Sequence, residues 1–316
     1  MNQKMRIGIS TCLLGEPVRY NGGHKLDRFI VDTLGKYLEF VPVCPEVECG
    51  LPVPRETLRL VGDPENPRLV TTHTHIDHTD RMKRWGRKRL KELEKRSLIG
   101  YIFKSRSPSS GMKNVRVYDR NGIPNRRGSG IWARMFMDRF PLLPVEEDGR
   151  LHDDTIRENF IERLFALERW RDALADGKSR RNLVAFHAAH KLLLMSHSPS
   201  IARELGRLVG RVKEMPLGRA YRDYEKRFLE ALALTATVKK HTNVLMHMAG
   251  YFKKLLSPEE KQELTETIDR YRRELVPLVV PLTLISHYVR EYREPYLSSQ
   301  AYLNPHPVEL KLRNHV

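Results

Sequence analysis

The sequence predicts an α/β amino-terminal domain, an open and mostly parallel sheet, followed by an all-α helical bundle domain, with the division near residue 150 (1–150 and 151–316). Three observations lead there. Short apolar runs at 5–9, 40–43 and 99–103 read as buried strands, and each ends in a loop with a small nucleophilic or metal-binding side chain. The first two runs are separated by a stretch with helical spacing (Phe29, Ile30, Leu34, Leu38), a strand–loop–helix–strand unit. From about residue 153 to 292 every segment keeps helical periodicity, broken at Gly177, Ser198-Pro199, Pro216 and Ser257-Pro258.

Along the first domain, residues 50–72 are proline-rich and read as irregular. A helix is expected over 79–97. Met82, Trp85, Leu90, Leu93 and Leu98 supply its apolar stripe, and Arg84, Arg87, Lys88 and Lys91 belong to an almost wholly basic opposite face. Residues 114–119 alternate as a strand, Asn121-Gly122 is a turn, and a helix is expected from Ile131 to about Phe140. Arg126 and Arg127 stand beside Gly128 and Gly130 at that helix start, a candidate anion seat. The acidic patch Glu146-Glu147-Asp148 reads as the end of the domain. In the second domain Asp153 or Asp154 caps a helix, and Ser257 with Glu260 has capping-box spacing. Residues 217–256 read as one long helix with a kink near Gly250, and the tail from Tyr302 as docked rather than helical.

The 316 residues carry a formal net charge of +17, with excess in both halves, the footprint of a polyanion-binding protein. Only three cysteines occur, which argues against a disulfide framework and for a reducing compartment. No signal-peptide pattern or membrane-length apolar run is found, so a cytoplasmic protein without a membrane partner is expected.

Loops at the carboxyl ends of strands converge in open α/β sheets. Here they are Ser10-Thr11-Cys12-Leu13-Leu14-Gly15, Cys44-Pro45-Glu46 and Lys104-Ser105-Arg106-Ser107-Pro108-Ser109-Ser110-Gly111. With Val18-Arg19-Tyr20, Gly50-Leu51 and Pro54-Arg55 between them, these motifs resemble the thiouracil desulfidase family. The second half resembles the helical domain fused to it in a bacterial subgroup associated with removing sulfur from 4-thiouridine in tRNA. The resemblance implies a [4Fe-4S] cluster on three cysteines, with one iron open to the substrate sulfur. Cys12 and Cys44 match two of those ligands; Ser110 stands where the third belongs. A hydroxyl is a poor iron–sulfur ligand, so position 110 reads as an engineered replacement or a natural variant whose cluster is lost or rearranged.

Within this reading Cys12, Cys44 and Ser110 are the cofactor-binding, metal-binding set. Cys49 lies outside the family pattern and reads as a packed thiol, with substitution as a ligand the other option. Glu46, two residues past Cys44, is the candidate proton-transfer group. Ser107, Ser109 and Ser10 are candidates to orient substrate, with turn capping around Pro108 the alternative for the first two. Lys104 would offset developing negative charge. Arg19, Arg126 and Arg127, with the basic helix face, are candidate substrate contacts, and tRNA is the expected partner. Two other functions stay open: a desulfidase of free thiouracil, and a noncatalytic tRNA-binding protein. His73-Thr74-His75-Ile76-Asp77-His78 has the spacing of a zinc-hydrolase motif, but residues 79–151 hold no histidine, so a polar loop is expected. Histidines 187, 190, 197, 241 and 247 lack the accompanying inward Glu-x-x-His carboxylates of a di-metal bundle and read as core or surface residues.

Overall fold

A computed structural model describes residues 4–314, and the chain divides into two compact units, Met1–His152 and Asp153–Val316. In the first unit, β1 (Met5–Ser10), β2 (Leu38–Val43), β5 (Tyr101–Phe103) and β8 (Val145–Glu147) form a wholly parallel sheet in the order β2-β1-β5-β8. Parallel strands are covered on both faces, which is why Ile7, Ile9 and Val43 are fully buried. On one face, α2 (Thr79–Glu94) and α3 (Ile131–Arg139) place Leu90, Leu93, Trp132 and Phe136 against Val43, Tyr101 and Phe103. Gly8 is required there: a Cβ on it would lie 2.3 Å from the Tyr101 ring.

Two sequence expectations change. Residues 26–38 do not form an α-helix. A π turn (Phe29–Thr33) and a 3-10 turn (Leu34–Lys36) bring the chain directly to Leu38, which stands opposite Met5 in the sheet. The proline-rich stretch contains β3 (Leu58–Val61) and β4 (Arg68–Thr71), an antiparallel hairpin whose prolines fall outside the strands. With β6 (Val115–Tyr118) and β7 (Pro124–Gly128) it makes a second sheet, in the order β4-β3-β6-β7. The acidic patch stands near the end of the first unit, as expected, but Glu146 and Glu147 lie in its last strand, β8.

The second unit holds α4 (Asp154–Ala175), α5 (Arg180–His197), α6 (Pro199–Gly210), α7 (Leu217–Ala233), α8 (Val238–Tyr251), α9 (Pro258–Arg272), α10 (Val279–Glu291) and the short α11 (Pro295–Ser298). Asp153 caps α4, and the capping box at Ser257 and Glu260 is formed. The expected long helix is two helices, because Leu234 leaves helical geometry and Thr237 starts α8 by accepting the Lys240 amide. Trp170 stacks on Tyr224 at 5.3 Å in the core. The tail packs back through two 3-10 turns. Its Arg313 is buried against Glu158 and Glu162, and Glu162 also bonds His197.

Candidate functional site

The three strand-end loops meet. β1 runs into a 3-10 turn at Thr11–Leu14, β2 into Cys44 and the four-residue helix α1 (Pro45–Glu48), and β5 into the 104–111 loop. Ser10 Oγ accepts the Lys104 amide at 2.9 Å, tying two of these ends together. The result is a crevice of about 1330 Å³ whose lining includes Ser10, Cys12, Arg19, Cys44, Glu46 and Ser107, with Lys104 and Ser110 also on its wall.

The 104–111 loop is held from three sides. Ser107 Oγ accepts the amides of Ser109 and Ser110, and Gly111 N donates to Ser107 O at 2.8 Å. The start of α3 presses against its far side: Trp132 N and Ala133 N donate to Ser109 O, and Ile131 N donates to Pro108 O. Gly130 permits that approach, since a Cβ would lie 2.3 Å from Ser109 O. These amides are therefore spent on the chain itself, and the expected anion seat at this helix start is filled. Arg127 lies exposed on β7, and the side chain of Arg126 lies outside the described residues. From the third side, Asp148 accepts Lys104 Nζ at 2.8 Å and the Ser105 amide at 2.7 Å, and Glu147 accepts the Met112 amide. Burial raises the Asp148 carboxyl, but these donors overcome it and hold it below its ordinary range. Lys104 is thus an already paired ammonium that fixes the loop.

Glu46 sits at the centre. One carboxylate oxygen accepts Ser109 Oγ–H. The other lies 3.6 Å from Cys44 Sγ and 4.0 Å from Arg55 Nη2. Ser109 is fully buried and bonds Ser107 Oγ at 2.9 Å, so it orients Glu46 from behind, while Ser107 reaches the crevice wall. Burial, reinforced by the Glu46 carboxylate, pushes the Cys12 thiol up to about 11 and the Cys44 thiol up to about 12. Both are thiols at neutral pH.

Cys49 faces elsewhere. Its Sγ donates to Glu46 O at 3.3 Å, and it lines a second cavity of about 820 Å³ together with Arg84, Trp85, Arg87, Lys88 and Lys91. The basic helix face and the crevice are therefore separate features. As a ligand set the crevice offers two thiols and the Ser110 hydroxyl, which does not fit a cluster held by three thiolates. Among the described residues no group of three or more histidine, cysteine, aspartate or glutamate side chains is arranged to hold a metal ion. In the histidine-rich turn, His75 Nδ1 lies 3.3 Å from Arg59 Nη2 and Asp77 accepts the Thr79 amide at the start of α2.

Sequence reasoning gave no role to Arg55, although Pro54-Arg55 was visible as a motif, and none to Asp148.

Known proteins match both parts of the chain. Residues 7–148 match the model of the 2-thiouracil desulfurase family, and residues 191–307 that of a protein family of unknown function, DUF1722. The chain is 36% identical over 153 residues to the uncharacterized protein YbgA of Escherichia coli (strain K12), spanning 48% of this chain and 90% of that one. Among solved structures, a [4Fe-4S]-dependent thiouracil desulfidase, TudS, is 29% identical with a TM-score of 0.38, over 48% of this chain and 95% of its own. Among the described residues no helix is long and apolar enough to cross a membrane. The chain is a fusion of a 2-thiouracil desulfurase family region, residues 7–148, with a DUF1722 family region, residues 191–307.

Proposed function

We propose that the chain recognises 4-thiouridine in tRNA and that its desulfidase step, exchange of ring C=S for C=O, is limited by Ser110. One observation carries this reading: Cys12, Cys44, Glu46 and Ser107 line one crevice whose wall is rich in arginine and lysine. Water adds to the ring carbon and the sulfur departs as hydrogen sulfide, so atoms balance without an oxidant or reductant. Glu46, aimed by Ser109 and Arg55, is the group that takes the proton of the attacking water. Ser10 and Ser107 orient the ring, and Lys104 with Asp148 keeps the loop in place. Exposed Arg84, Arg87, Lys88 and Lys91 meet the RNA backbone. The basic wall favours a phosphate-bearing substrate over free thiouracil, which carries no charge to meet it.

The test is anaerobic reconstitution with iron and sulfide of this chain and of Ser110→Cys, followed by iron counts and sulfide release from thiolated tRNA. Ser110→Cys is expected to hold a stable cluster and release sulfide, while the parent binds the tRNA with little of either. Equal iron and equal release in both forms would reject the limit at position 110. Tight tRNA binding with no release in either form would favour a noncatalytic binder.

A further inference from the structure

We infer that the second sheet carries a backbone-phosphate subsite, built on Arg59 and Arg116, for the nucleotide chain that presents the thiouracil. The inference rests on the thiouridine reading above and adds how the carrier of the ring is held. β3 and β6 are parallel neighbours with Leu60 opposite Val117, which puts Arg59 opposite Arg116. Leu60, Val115 and Val117 are buried in the core beneath this sheet. Strand alternation therefore turns Arg59, Arg116 and Tyr118 to the opposite face, where all three line the same crevice as Cys12 and Cys44. Like charges directly across a strand pair destabilise a sheet, so two facing arginines call for a shared anion.

Neither guanidinium is spent. The Arg59 guanidinium lies over the Tyr118 ring at 5.6 Å and meets His75 through Nη2, but its buried Nε has no hydrogen-bond partner. Arg116 is exposed and, among the described residues, forms no hydrogen bond or ion pair. Carboxylates on this stretch of wall are occupied. Glu56 takes the amides of His73 and Thr74 and the Thr74 hydroxyl, and Glu147 takes the amides of Met112 and Lys113. Two planar forks with unused donors match the oxygens of a phosphodiester. The crevice, at about 1330 Å³, also exceeds the usual range for a small-molecule site, roughly 300–1,000 Å³, and so has room for more than the base.

The experiment is a binding titration of the full chain with three probes: 4-thiouridine nucleoside, its 5′-monophosphate, and a short oligoribonucleotide holding a single 4-thiouridine. Parent, Arg59→Gln/Arg116→Gln and Arg59→Lys/Arg116→Lys are compared, with melting curves to verify folding. The glutamine variant is expected to lose about 10- to 100-fold on the oligonucleotide, the effect of removing charge-assisted bonds. Its salt slope should flatten by about 1.4 if each arginine meets one phosphate of a single strand. Nucleoside binding should not change, and the lysine variant should recover only part of the loss. If the parent prefers the oligonucleotide but the glutamine variant binds it equally well, the subsite is wrong and the thiouridine reading stands. If inorganic phosphate competes away the whole advantage, or the monophosphate alone captures it, the site is a free-phosphate pocket and the inference fails. A parent that binds none of the three probes would instead remove the thiouridine reading beneath it.

Discussion

At the scale of single residues, the site turns on Glu46. Its oxygens are shared among Ser109, Cys44 and Arg55, so each can be changed with a distinct expectation. In a Ser110→Cys background, Glu46→Gln should keep the visible cluster spectrum and lower desulfuration by roughly 10²- to 10⁴-fold, the range of general acid–base groups. Loss of the spectrum together with the rate would make Glu46 structural instead. Much of this constellation was legible beforehand, because Cys12, Cys44, Glu46 and Ser107 stand at the ends of apolar runs where such loops converge. The division of labour between the serines was not. Burial places Ser109 behind Glu46 and leaves Ser107 on the wall, and sequence spacing does not distinguish front from back.

At the scale of elements, α2 has two separate tasks. Its buried Met82, Leu90 and Leu93 cover both sheets, while Arg84, Arg87, Lys88 and Lys91 border the cavity beside Trp85. Changing the four basic residues to glutamine should weaken tRNA binding and flatten its salt slope, by at most about 3.6 on a duplex region. Turnover of a free thiouracil base by the Ser110→Cys form should stay the same. Unchanged tRNA affinity and slope in filter binding would make this face an ordinary solvated one. The amphipathic pattern of α2 was readable because its period is strong over four turns. The β3–β4 hairpin was hidden because its strands are only four residues each, between prolines, and β8 because three residues carry no period at all. The break between α7 and α8 was missed because it depends on a single cap, Thr237, within otherwise unbroken helical spacing.

At the scale of the whole molecule, the helical unit carries its polar groups inside. Burial, with Lys191 adding, lowers His187 to about 4. Burial and Arg169 lower His190 to about 3, and burial and Arg313 lower His306 to about 4. The unfolded chain takes up these protons near the ordinary value of 6.5, and the folded one resists them. Stability is therefore lost as pH falls from 6.5 towards 4, by up to about 1.4 kcal/mol per pH unit for each group. Glu158, which burial pushes up to about 7, acts in the opposite sense between 4.5 and 7, and Glu168, which burial also raises, acts with it. Hydrogen exchange over residues 180–197, corrected for the intrinsic effect of pH, should show less protection at pH 5 than at pH 7. Equal protection would show that these rings do not govern stability. The buried seat of Arg313 also bears on biosynthesis. Glu158 and Glu162 enter a nascent chain some 150 residues before their cation does, since Arg313 is 155 and 151 positions further on. The parallel sheet, by contrast, has all its strands once residue 147 has left the ribosome. Translation thus delivers Arg313 to Glu158 and Glu162 only when the helical half is almost fully synthesised, whereas His197 reaches Glu162 after 35 residues.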